Sequence, residues 1–133
     1  MTDEAAIEEV LVRYATGIDR RDWQLFRSCF TADCRADYGP IGSWAGVEAL
    51  TAWMEQAHVP FGLTLHRMTN FAVEIDGDRA TSRCYVHVVL TFAEQPDTAH
   101  ESFGFYDDTL VRDGSAWRID ERRFTTVLSK APE

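Results

Sequence analysis

Positive charge is scarce in this chain: 13 Lys and Arg stand against 22 Asp and Glu, a formal net charge of −9 over 133 residues. A nucleic-acid backbone or an anionic membrane surface would be repelled, which excludes both as partners. Long apolar runs are missing too, and nothing approaches the roughly 20 consecutive residues that span a bilayer. Cysteine is limited to Cys29, Cys34 and Cys84, an odd number without metal-ligand spacing. The acidic start "MTDEAAIEE" carries no apolar run. These features point to a cytoplasmic protein with reduced, packing thiols. No linker, repeat or low-complexity tract divides the chain, and no P-loop, zinc-binding spacing or nucleophile elbow occurs in it. The expectation is one domain over residues 1–133 with a core of its own, using neither metal nor cofactor.

What is present changes in texture near the middle. From Ala5 to Ile18 the apolar residues Ile7, Val10, Leu11, Tyr14 and Ile18 recur at helical spacing behind an acidic first turn. Asp22 is placed to cap a short second helix that turns Trp23, Phe26 and Phe30 inward. "CRADYGPIGSWAG" reads as a strand entering an irregular loop, and "GVEALTAWMEQA" as a third helix with Val47, Leu50, Trp53 and Met54 on its apolar side. Beyond Gly62 the pattern alternates, with turn signals at Asp76-Gly77 and Asp113-Gly114. Strands are predicted near residues 64–75, 80–93, 102–112 and 117–127. Three helices followed by a run of mainly antiparallel strands make an α+β plan, with helices on one face of the sheet.

Candidate chemistry centres on histidine. In "RCYVHVVLTF", alternation puts Cys84, Val86, Val88 and Leu90 on a core face and Arg83, Tyr85, His87 and Val89 on the other. In "LTLHRMTNFAVEI", Phe71, Val73 and Ile75 form the core face, while His66, Met68 and Asn70 take the opposite one. Two consecutive strands thus each carry a histidine off the core face, as the lining of a pocket would. His58 and His100 fall in predicted loops. A histidine that moves protons needs an orienting carboxylate. Asp19 sits where the first helix ends, about 100° around from the centre of the apolar stripe. Tyr14 and Tyr38 could pack in the core or polarise a carbonyl in a partly apolar cavity.

The order of these features, "VLVRYATGIDRRDWQLFRSCFTADCRADYGPIGSWAG", then "TLHRMTN", "VEIDGDRATSRCYVHVVLTF" and "FYDDTLVRDGSAWRIDERRF", resembles the SnoaL-like branch of the nuclear transport factor 2-like superfamily over nearly the whole chain. The resemblance implies a cone-shaped α+β barrel, a curved mixed sheet around a pocket that the helices close. Within the superfamily the chain looks most like scytalone dehydratase and bile acid 7α-dehydratase. Asp19 and His66 match catalytic residues of both. His87 matches the second histidine of the former and Tyr38 one of its carbonyl-polarising tyrosines; Tyr14 matches the tyrosine of the latter. Ile18 and Val88 stand where those enzymes carry a tyrosine and an aspartate, so neither exact substrate is implied.

The resulting expectation is a cofactor-independent dehydratase or isomerase acting on a small cyclic or polyketide-like carbonyl compound. Asp19 would accept a hydrogen bond from His87; His66 and His87 would move protons; Tyr14 or Tyr38 would hold the enolate oxygen. Asn70, Tyr85, Trp53 and Tyr106 would contact a hydrophobic small-molecule substrate, in a homodimer or homotrimer. The rival reading is a non-catalytic ligand-binding or structural oligomerising domain of the same fold.

Overall fold

A computed structural model describes residues 1–132. Helix α1 (Asp3–Asp19) starts at Thr2, whose hydroxyl accepts from the Ala5 amide. It ends in a left-handed residue, Arg21 (φ 56°). There the Arg21 and Asp22 amides donate to the Ile18 and Gly17 carbonyls, satisfying the last turn. Asp22 caps α2 (Trp23–Ser28) through the Leu25 amide, as the sequence predicts. Gly17 lets the two helices meet, since a Cβ there would lie 2.8 Å from the Phe26 backbone nitrogen. Strand β1 (Phe30–Asp37), a 3-10 turn at Gly39–Ile41, the short β2 (Ser43–Ala45) and α3 (Val47–Ala57) come next.

Four long strands complete the chain: β3 (Phe61–Asp76), β4 (Arg79–Phe92), β5 (Gln95–Asp113) and β6 (Ala116–Lys130). The two Asp-Gly turns fall where predicted, with Gly77 and Gly114 at positive φ. The β4–β5 hairpin reaches past the predicted strand ends, so His100 lies within a strand and not in a loop. The single sheet has the order β2-β1-β6-β5-β4-β3, antiparallel except where β1 runs parallel to β6. Helix α1 packs on both β3 and β6. These strands lie three positions apart, about 14 Å in a flat sheet, so the sheet must curl around the helix to reach it from both sides. Its inner face buries the core: Ile7, Leu11, Tyr14 and Ile18 of α1 meet Phe26, Phe30, Cys84, Leu110 and Ile119. No helix among the described residues is long and apolar enough to cross a membrane.

Of the several register shifts in the sheet, two bear most directly on the inner face. The β3–β4 register shifts between Thr69 and Ala72, with Asn70 at φ 54°, a bulge that inserts an extra residue into β3. The β5–β6 register shifts between Phe103 and Gly104. Gly104 is required there, because a Cβ would stand 2.1 Å from the Thr125 carbonyl oxygen.

Candidate active site

The bulge at Asn70 reverses the parity argument drawn from β3. Residues on either side of a simple strand alternate faces, but one inserted residue brings His66 and Met68 onto the same face as Phe71 and Val73. Register confirms the direction: His66 pairs with Val88, on the core face of β4, whereas His87 pairs with Arg67 on the outside. The two histidines therefore lie on opposite faces of the sheet.

His66 is the one that Asp19 holds. The carboxylate Oδ1 accepts from His66 Nδ1 at 2.7 Å, and Oδ2 accepts from the His66 backbone N–H at 2.9 Å. The Thr64 hydroxyl donates to Oδ1 at 3.1 Å and itself accepts from Arg21 Nη1 at 2.7 Å. Arg21 is anchored in turn on the Ile18 and Gly62 carbonyls. Every one of these groups comes from the end of α1 or the start of β3, so the helix terminus and the strand fix the pair together. A carboxylate can only accept, so Nδ1 carries the proton, and in the neutral imidazole the lone pair then lies on Nε2. Among the described residues Nε2 has no hydrogen-bond partner. The His66 side chain is 8% exposed and that of Asp19 19%, shielded yet within reach of a small molecule.

Beside this pair three phenols converge. The Tyr14 ring stands edge-on to His66 with centroids 6.5 Å apart. Its hydroxyl lies 2.7 Å from that of Tyr38 and 3.4 Å from that of Tyr106. Burial pushes all three phenols above their ordinary range, most strongly Tyr14 and Tyr38, so they remain protonated donors. Under them lies Arg122, fully buried, with its guanidinium 4.2 Å from the Tyr14 centroid and 3.8 Å from that of Tyr106. Burial alone would discharge it, but Asp108 accepts from Nε and Nη2 at 2.8 Å each and holds it protonated. Its Nη1 has no partner among the described residues. A charged residue in an alternating strand reads as surface, which is why the sequence conceals this buried pair.

The remaining predicted site residues separate clearly. His87 is a correction: its Nε2 donates to Glu101 at 2.9 Å on the outer face, and its ring stacks on Phe103 at 4.4 Å. It does not meet Asp19. Tyr85 shares that outer face and is 46% exposed, so it lines no interior pocket. Asn70 is exposed at the bulge, not beside His66. Trp53 packs on Trp44 at 4.3 Å between α3 and β2, and Trp44 in turn meets Tyr38. Tyr106 is one of the three buried phenols, within reach of the Tyr14 hydroxyl.

A family model described as a SnoaL-like domain matches residues 1–123. The chain belongs to the SnoaL-like family. This SnoaL-like protein is 31% identical over 131 residues to uncharacterised proteins of Mycobacterium tuberculosis and Mycobacterium bovis, covering 98% of its own length and 89% of theirs. Among solved structures it is similar to the Kfla4162 protein of Kribbella flavida, at 26% identity over 96% of this chain and 93% of that one, with a TM-score of 0.87. A Novosphingobium aromaticivorans protein provisionally assigned as a scytalone dehydratase superposes with a TM-score of 0.89 at 22% identity, over 100% and 93% of the two chains. A hexachlorocyclohexane dehydrochlorinase, LinA-type3 of Novosphingobium barchaimii, does so with 0.83 at 18%, over 96% and 88%. The last two likenesses show the shared fold, the cone expected from the sequence.

Proposed function

We propose that this SnoaL-like protein is a cofactor-independent lyase or isomerase that transfers a proton on a small cyclic or polyketide-like carbonyl compound. The observation that carries the proposal is the Asp19–His66 pair, held by two contacts to Asp19 and leaving Nε2 free. In this reading His66 Nε2 removes the proton next to the carbonyl, and Asp19 stabilises the imidazolium that forms. The Tyr14–Tyr38 pair donates to the developing enolate oxygen, and the buried Arg122 charge adds to that stabilisation. The proton on Nε2 then leaves with a β-hydroxyl as water, completing a dehydration, or returns to another carbon, completing an isomerisation. Two proteins of similar fold bear the names of elimination enzymes, a scytalone dehydratase and a dehydrochlorinase, which supports the lyase branch.

The test is exchange of α-hydrogen for deuterium in D2O, monitored by NMR on cyclic ketones, together with dehydration of the matching β-hydroxyketones. His66→Ala and Asp19→Asn should each slow the reaction by about 10²- to 10⁴-fold, while His87→Gln should stay within about twofold of the parent. Parent rates equal to buffer across the panel, or a His66→Ala variant as fast as the parent, would overturn the proposal and favour a binding module.

A further inference from the structure

Arg21 stands at φ 56°, in the left-handed region that a residue with a Cβ adopts only at a cost. Just past the end of a helix, glycine is the ordinary occupant of that conformation. A strained residue persists where its surroundings hold it, and strain of this kind gathers at functional sites. The contacts of the side chain show what does the holding here. The guanidinium reaches the Ile18 carbonyl at 2.8 Å, the Thr64 hydroxyl at 2.7 Å and the Gly62 carbonyl at 2.9 Å. All three acceptors are neutral. The chain has 22 Asp and Glu for 13 Lys and Arg, yet this half-buried arginine enters no ion pair among the described residues.

The consequence lies in the direction of one proton. A guanidinium can only donate, so the Thr64 oxygen accepts from Arg21 Nη1 and its own hydrogen must point elsewhere. The oxygen in reach is Asp19 Oδ1, at 3.1 Å. Thr64 is buried, so solvent does not compete for that hydrogen. A direct pair between Arg21 and Asp19 would occupy the carboxylate lone pairs that hold the His66 ring. One hydroxyl placed between them leaves those lone pairs to His66 and still pins Oδ1. We infer that Arg21 is a positioning residue: acting through Thr64, it fixes the rotation of the Asp19 carboxylate and so the aim of His66 Nε2. The inference rests on the proposed proton transfer for its catalytic meaning, whereas the fixed carboxylate can be measured without turnover.

Three variants separate this role from a simple tie between α1 and β3. Arg21→Gly supplies the residue the backbone prefers and removes the one that reaches Thr64. Thr64→Val removes the hydroxyl at nearly constant shape, and Thr64→Ser keeps it. By NMR without substrate, the His66 Nδ1 proton should exchange with water about tenfold faster in Arg21→Gly and Thr64→Val, as loss of one hydrogen bond to a charged group implies. Thr64→Ser should stay within about twofold of the parent. In deuterium exchange of cyclic ketones, kcat should fall about 10- to 100-fold in the first two variants with KM unchanged, and Thr64→Ser should restore it. In the unmodified protein the Thr64 hydroxyl proton should be visible, protected from exchange and linked to the His66 Nδ1 proton by a nuclear Overhauser effect, a readout that needs no variant to fold. Absence of that proton, parent-like Nδ1 exchange in Thr64→Val, or parent-like exchange in Arg21→Gly would each overturn the inference. A parent protein without turnover but with the expected exchange pattern would instead count against the proposed reaction alone.

Discussion

Replacing Asp108 by asparagine removes one charge from a pair in which both side chains are wholly buried. Two 2.8 Å hydrogen bonds from Arg122 lose their carboxylate acceptor, and the guanidinium stays in the core beneath Tyr14 and Tyr106 with nothing to neutralise it. Breaking a buried pair from one side costs about 3–5 kcal/mol. For 133 residues the unfolding entropy near the midpoint is about 0.28 kcal/mol/K, so Asp108→Asn should lower the melting temperature by roughly 10–18 °C. Urea unfolding tracked by far-UV circular dichroism gives the free energy, and near-UV spectra report the tyrosines as they lose their cation. The double variant Asp108→Leu/Arg122→Met removes both charges and fills the space with carbon. It should recover most of the loss, because an intact buried pair itself contributes little beyond its desolvation. A single variant within about 1 kcal/mol of the parent, or a double variant as unstable as the single, would refute this account of the pair.

Two further outcomes are expected from the fold. Gly104→Ala should destabilise the protein by about 3 kcal/mol, the upper part of the range for overpacking, because the added carbon meets the Thr125 carbonyl oxygen; a urea midpoint unchanged from the parent would contradict that close approach. Alkali should act through the thiols: burial pushes Cys29 and Cys34 up to about 11 and Cys84 up to about 12. These groups are raised in the folded state, so their contribution is complete below about pH 9 and is lost as pH climbs toward 11–12, at up to about 1.4 kcal/mol per pH unit per thiol. Urea midpoints at pH 8, 9.5 and 10.5 should fall progressively, and a flat profile would count against buried thiols.

The parts of this molecule that could be read from sequence are those set by local chemistry. The stripe from Ile7 to Ile18 becomes α1, Asp22 caps α2, and Asp76-Gly77 and Asp113-Gly114 turn their hairpins. Asp19 could be singled out because it ends a helix at the border of an apolar stripe, and it does reach a histidine. Which histidine depended on strand parity, and parity depends on a bulge whose position in so long a strand the hydrophobic pattern does not fix. Asp108, and the burial of Arg122 against it, were hidden because each satisfies the other in the core only once β5 and β6 are in register. His100 was hidden by a hairpin that turns without an Asp-Gly or Asn-Gly signal.

Asn70 acts on β3 much as a single inserted base acts on a reading frame. From Thr64 to Thr69 the strand is read against the sheet in one phase and from Ala72 onward in the other. Because of it, the same strand can point an imidazole inward at one end and keep Phe71 and Val73 inward at the other, which strict alternation forbids. Relatives that lack a residue at this point would have to change the face of one half of the strand or the other. Aligning them by hydrophobic pattern alone would then match His66 with a residue that faces solvent.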